Sequence, residues 1–113
     1  MLYKNNISND DSLDAVFKAL ANPVRRRLLD AMKDGPRTTG QLCEAEGALD
    51  RCTVMQHLKA LETAGLVIAR REGRERWNHL NAMPIKAVHD RWIAPYARSA
   101  VAMLADLKER VEG

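Results

Sequence analysis

Aromatic residues are scarce in this chain: two Trp, two Tyr and one Phe make up 4% of its 113 residues. Any core must therefore be built from Leu, Val, Ile, Met and Ala. Cysteine is nearly absent too. Two thiols with no export signal argue against a disulfide framework and fit a reducing cytoplasm. The start, MLYKNNISNDDSLD, is polar and acidic, unlike a signal peptide. No run approaches the roughly 20 apolar residues that a membrane span needs, so a cytoplasmic location with no membrane partner is expected. Three histidines and two cysteines, scattered from 43 to 89, are a poor supply for zinc, which wants about four ligands in fixed geometry. Neither a metal nor any other cofactor is expected. An enzyme is equally unsupported, because there is no nucleophile–base motif, Gly-rich phosphate loop or recognisable pair of catalytic carboxylates.

What is present suits a small globular protein. Apolar residues are 46% and charged residues 29% of the chain, which argues against wholesale disorder. The length allows one domain, or one domain with a helical arm. So short a chain buries a modest core, and dimerisation is a common remedy. The net charge is only +3, but its placement matters: residues 23–79 hold eleven Lys/Arg against eight Asp/Glu, and the remainder is neutral. A basic centre with neutral flanks is the layout of a polyanion-binding module.

Helix signals divide the chain. Ser12 can cap a first helix through about Ala21, with Leu13, Val16, Phe17 and Leu20 on one face. Asn22-Pro23 restarts the chain as an N-cap followed by a first-turn proline, and Gly35-Pro36 suggests where the second helix stops. Thr38-x-x-Gln41 reads as a capping box for a short third helix, TGQLCEAE, closed by Gly47. Asp50 caps a fourth, from about Arg51 to Ala64. Only GALD separates the last two, a helix-turn-helix spacing. LVIARR and ERWNHL then flank Glu72-Gly73 as a β-hairpin signal. The expected fold is thus mainly α with a small hairpin, a winged helix-turn-helix. It divides into a flexible 1–11, a DNA-binding domain at 12–81 and a C-terminal helical arm at 82–113.

LDRCTVMQHLKALETAGLV places a cysteine, a histidine, a glutamine and a lysine on one helix, and phase separates them. Val54, Leu58 and Leu61 should face the core. Cys52, Gln56, Lys59 and Thr63 fall on the opposite side, with Thr53, Met55 and His57 on the flanks. Gln pairs bidentately with adenine and Thr contacts either base type, while Lys59 suits a phosphate. An ordinary solvated helix face would carry more Glu/Lys pairs than the single Lys59/Glu62 candidate here. Arg70, Arg71, Arg74 and Arg76 cluster at the hairpin, where a basic tip can reach phosphates or a minor groove. Arg25, Arg26 and Arg27 cannot all face one way, so at least one has a structural role.

Pro84 can begin a last helix, which Pro95 should kink or split. Ile93, Ala97, Ala100, Leu104, Leu107 and Val111 repeat at spacings of 4, 3, 4, 3 and 4, an a/d-type seam suited to self-association.

ALANPVRRRLLDAMKDGPRTTGQLCEA, CTVMQHLKALETAGLV and REGRERWNHLN together resemble the ArsR/SmtB family of winged-helix repressors, over about residues 13–96. The resemblance implies a homodimer joined through the first and last helices, with Leu13 and Phe17 added to the C-terminal seam. Its partner would be double-stranded DNA carrying an inverted-repeat operator. It places Thr38, Thr39, Arg51, Cys52, Thr53, Met55, Gln56 and His57 at or near DNA, with the wing arginines on the backbone or minor groove. The family's metal sites do not carry over. QLCEAEG has Ala45 where a second thiolate is needed, and Val88-His89-Asp90 lacks the spacing of the C-terminal site. The expected function is an autoregulating repressor that does not respond to metal. Cys43 and Cys52 remain candidate redox thiols, an unidentified small molecule is the other effector class, and a winged-helix module for protein contact is the competing reading.

Overall fold

The computed structural model describes the backbone of residues 2–112 and the side chains of residues 11–112. The order is α1 (Leu2–Leu20), α2 (Pro23–Ala31), β1 (Arg37–Thr38), α3 (Thr39–Glu46), α4 (Arg51–Thr63), β2 (Val67–Glu72), β3 (Glu75–Leu80), α5 (Met83–Val88), a π-helical turn (His89–Ile93) and α6 (Ala94–Glu112). The strands form one antiparallel sheet ordered β1-β3-β2. The chain is a winged helix-turn-helix: α3 and α4 joined by residues 47–50, with the β2–β3 hairpin as the wing.

Local chemistry sets most boundaries. Asn22 Oδ1 accepts from the Val24 and Arg25 amides at 2.9 and 3.2 Å, capping α2. The Thr38 hydroxyl accepts from Gln41 N at 3.1 Å while Gln41 Oε1 accepts from Thr38 N at 2.9 Å, the reciprocal capping box. Gly47 turns the chain out of α3 at φ +55, a conformation that costs a residue with a Cβ about 1 kcal/mol or more.

Three boundaries differ from the sequence reading. Ser12 caps nothing: α1 already starts at Leu2, and no Gly or Pro upstream interrupts it. The segment expected to be flexible, 1–11, lies, but for Asp11, outside the residues whose side chains are described. α2 stops at Ala31 rather than near Gly35, and from Met32 to Gly35 the backbone tightens into turns whose amides reach back three residues. The two-residue loop of the hairpin is Gly73-Arg74, not Glu72-Gly73, since Glu72 and Glu75 are the last paired residues. Positive φ at Gly73 alone matches a type II′ turn, whose twist suits a hairpin. Strand β1 carried no sequence signal, being two residues long.

The core gathers around α4. Val54, Leu58 and Leu61 are fully buried against Val16 and Ala19 of α1, Leu28, Leu29 and Met32, Leu42 of α3, and Leu66 and Val67 at the start of the wing. The sheet is tied in by a buried polar side chain, Asn78. Its Nδ2 donates to the Arg37 carbonyl and to Thr39 Oγ1, both at 3.2 Å, linking β3 to β1 and to the start of α3. Asn81 does the same at the far end of the hairpin, donating to the Gly65 carbonyl at 2.8 Å.

Beyond α5 the chain leaves the core. Pro95 neither breaks the helix nor splits it. The residues before it adopt a π-turn, in which Ala94 N–H reaches back to the His89 carbonyl. A widened turn lets the helix pass a residue that has no donor and whose ring would strike the preceding turn. No α6 side chain is buried. The radius of gyration is 18.3 Å, against about 13 Å for a compact chain of this length. That excess is the projecting arm.

Leu58→Ala should lower unfolding stability by about 2–5 kcal/mol, as large-to-small core changes do. A denaturant titration measures it, and a loss below 1 kcal/mol would contradict a fully packed position.

Candidate nucleic-acid interface

Rotational phase decides what α4 presents. With Val54, Leu58 and Leu61 inward, the side chains of Cys52, Gln56, Lys59 and Thr63 are exposed, and Thr53, Met55 and His57 are half-buried on the flanks. The helix starts cleanly. Asp50 Oδ1 accepts from Thr53 N at 2.7 Å, so Arg51, Cys52 and Thr53 occupy a fixed first turn rather than a frayed end.

Two flanking residues are turned inward. Met55 packs against the core, so its contribution outward is small. His57 points at α2, where its Nδ1 accepts from Arg25 Nε at 3.2 Å. Burial, then the Arg25 charge, hold its pKa below the ordinary 6.5, with Glu46 opposing. Thr38 and Thr39, expected near DNA, are buried. The Thr38 hydroxyl belongs to the capping box and the Thr39 hydroxyl to Asn78. Helix capping and wing attachment outweigh solvent contact at both.

The wing arginines divide by strand register. Arg71 and Arg76 are directly paired and share the face that carries buried Val67 and Asn78. Arg70 shares the other face with Trp77, and Arg74 sits on the turn itself. Arg76 is half-buried and pairs with Glu62 of α4 at 3.0 Å, which braces the wing against the recognition helix. Glu62 is therefore not the partner of Lys59, whose cation stays exposed on the outer face. The exposed wing cations are Arg70, Arg71 and Arg74. Between α3, the first turn of α4 and the wing lies a cleft of about 200 Å³ lined by Thr38, Thr39, Gly40, Arg51, Arg74 and Arg76, with Glu75 at its edge.

The triple arginine of α2 is structural throughout. Arg25 holds His57. Arg26 donates to the Leu20 carbonyl at 2.6 Å, closing the end of α1. Arg27 grips Glu46 with Nε and Nη2, at 2.9 Å in the shortest contact, tying α2 to α3. The sequence required one structural arginine here and the fold uses all three. What the sequence reading missed was Asn78 and Glu46, single polar residues whose partners lie 39 and 19 positions away.

Of the two thiols, Cys43 is half-buried against the core and Cys52 is exposed. Among the described residues, no three His, Cys, Asp or Glu side chains gather in a way that could hold a metal ion. No described helix is long and apolar enough to cross a membrane. Ile93, Ala97, Ala100, Leu104, Leu107 and Val111, expected from their spacing to form a seam for self-association, are all exposed in the single chain. Phe17 stands 5.8 Å from Trp92, ring centre to ring centre, which joins α1 to the base of the arm. Leu13 is half-buried beside α5.

The cap of α4 has a pH signature. Hydrogen bonds from Thr53 hold the Asp50 carboxyl below its ordinary 3.8. Its contribution is therefore complete above that value and lost as pH falls through the lowered one. The Thr53 amide resonance should titrate in that acid range and stop doing so in Asp50→Ala. A Thr53 amide insensitive to both changes would rule out the cap.

Comparison with known proteins agrees with this geometry. A family model described as a helix-turn-helix domain matches residues 20–70. The chain is 34% identical over 95 residues to Rv0081 of Mycobacterium tuberculosis H37Rv, described as an uncharacterized HTH-type transcriptional regulator, covering 81% of this chain and 83% of that one. Among solved structures, the ArsR family transcriptional regulator RHA00566 aligns with a TM-score of 0.66 at 28% identity, over 92% of this chain and 94% of that one. The homodimeric winged helix-turn-helix DNA-binding domain (fragment 1–100) of Mb0332 from Mycobacterium bovis, a possible ArsR-family regulator, aligns at 0.65 and 28% identity, over 93% and 90%. The chain belongs to the ArsR family of winged helix-turn-helix, DNA-binding transcriptional regulators.

Proposed function

We propose that the protein is a dimeric repressor that binds an inverted-repeat operator near its own promoter and does not respond to metal. The observation that carries this reading is the outer face of α4. Cys52, Gln56 and Lys59 are exposed together on a helix whose opposite face is fully buried. A rigid helix with short polar and cationic groups outward fits the major groove, where Gln56 can pair bidentately with adenine. Arg70, Arg71 and Arg74 then lie beside the adjacent backbone or minor groove, and Arg51 reaches phosphate from the first turn. Two such units at a two-fold axis match two half-sites about one helical turn of DNA apart. The unburied seam of α6, with Phe17 and Trp92 at its base, supplies a surface for the second copy.

Repression then follows from occupancy, since a dimer seated on a promoter excludes polymerase. Metal control is unsupported because Ala45 stands where a second thiolate would be required next to Cys43. Cys52 is the accessible thiol, on the first turn of the reading helix. A group added to its sulfur would stand between α4 and a base edge.

Selection of duplexes from a random-sequence library, followed by titration at several salt concentrations, tests the reading. An enriched inverted repeat is expected, and Gln56→Ala should cost about 1–3 kcal/mol and relax selectivity at one position. Arg71→Ala or Arg74→Ala should weaken all duplexes alike and reduce the salt slope by about 1 each. If no duplex is preferred over random DNA, the protein-contact reading of the same face takes its place. For the dimer, Leu104→Glu with Leu107→Glu should yield monomers in sedimentation velocity. A dimer that survives both charges would place the interface elsewhere.

A further inference from the structure

The reading of DNA proposed above depends on α4 holding one orientation relative to α1, the helix beside the arm. Arg25, in the first turn of α2, touches both. Its Nη1 donates to the Lys18 carbonyl near the end of α1 at 3.4 Å, and its Nε donates to His57 Nδ1 on α4 at 3.2 Å. One planar guanidinium therefore bridges α1 and α4 in addition to the apolar contacts between them.

The contact specifies the state of the imidazole. Nδ1 can accept only when it carries no proton, so His57 is neutral with its proton on Nε2. The charged groups around the ring come from each neighbouring element: Arg25 on α2, Glu46 on α3 and, along the cleft that Arg25 shares with α1 and α4, Lys18. Glu46 is itself held by Arg27, so its carboxylate is not free to swing to a protonated His57. Acidification would place a proton from solvent on Nδ1. The acceptor would become a donor facing a donor, and two cations would stand in contact.

We propose that Arg25 is a positioning residue that sets the recognition helix against α1 through neutral His57, and that protonating His57 releases this hold and weakens the grip on the operator. The proposal rests on the DNA-binding reading of α4. The direction is fixed by linkage. The contact is intact above the lowered pKa of His57 and lost as pH falls through it. Lysine cannot replace Arg25, because a single ammonium lacks the fork that serves two acceptors in one plane.

Two measurements on the full chain test this, and they fail separately. Without DNA, nitrogen NMR should find Nδ1 of His57 unprotonated at neutral pH and titrating below 6.5, and Arg25→Gln should move that titration upward. A titration unchanged by Arg25→Gln would overturn the contact whatever the DNA does. With DNA, the probe is the duplex enriched from the random library by the wild-type protein, read by fluorescence anisotropy. Wild-type affinity should fall about threefold to tenfold as pH is lowered from about 7.5 through the range in which the NMR finds His57 titrating, the worth of one hydrogen bond. His57→Gln should flatten this profile, since its amide oxygen accepts without titrating. Arg25→Lys should bind more weakly at neutral pH and lose less on acidification. An acid loss that survives in His57→Gln would overturn the coupling. Failure to enrich any duplex would sink the DNA reading and the operator half of the proposal, while the NMR result would still decide the contact.

Discussion

The inner stripe of α4 is the constraint on which the rest depends. Val54, Leu58 and Leu61 have no exposed surface, and α1, α2, α3 and both strands of the wing contribute side chains to the core that holds them. Interiors packed to crystal-like density leave no freedom to rotate a helix by one residue. At 100° per residue, burying these three also dictates that Cys52, Gln56 and Lys59 point away. The fold and the candidate interface are thus two faces of one packing decision. The Asp50 cap completes it by holding the first turn, where three of the candidate contact residues lie.

Around that apolar stripe the polar ties are few and each spans a gap between elements. Asn78 joins the wing to α3, Arg76 and Glu62 join the wing to α4, and Arg27 and Glu46 join α2 to α3. Such contacts change what the central basic excess means. Arg25, Arg26, Arg27 and Arg76 serve internal carbonyls, a histidine and carboxylates. Lys33 pairs with Asp30 and Arg37 donates to the Gly35 and Pro36 carbonyls, so the central cations left for a polyanion are Arg51, Lys59, Arg70, Arg71 and Arg74, which lie on one helix and one hairpin. A small net charge is therefore compatible with a concentrated cationic face, because Glu46 and Glu62 neutralise Arg27 and Arg76 away from it.

The arm obeys a different economy. α6 buries nothing within its own chain, yet its apolar residues recur at coiled-coil spacing. A helix of 19 residues extends about 28 Å, and in isolation it would be marginal in water. The π-turn before Pro95 keeps the arm continuous with α5, so the contact between Phe17 and Trp92 sits at the hinge between domain and arm.

Much of this was legible in the residues themselves. Capping boxes, Asn-Pro starts and apolar periodicity are local, with cause and effect within a turn or two. That is why α3, α4, the hairpin and the outward set on α4 follow from the sequence. It is also why the short strand β1 does not: its limits depend on a partner strand, not on a nearby signal. The same division runs through the site. Local phase determined that Gln56 and Lys59 face out. Only the tertiary structure decided that Thr38 and Thr39 are buried, that His57 leans on Arg25 and that Arg76 braces Glu62. For Thr39, His57 and Arg76 a polar side chain takes the partner that folding brings within hydrogen-bond distance, and those partners lie 14 to 39 residues away.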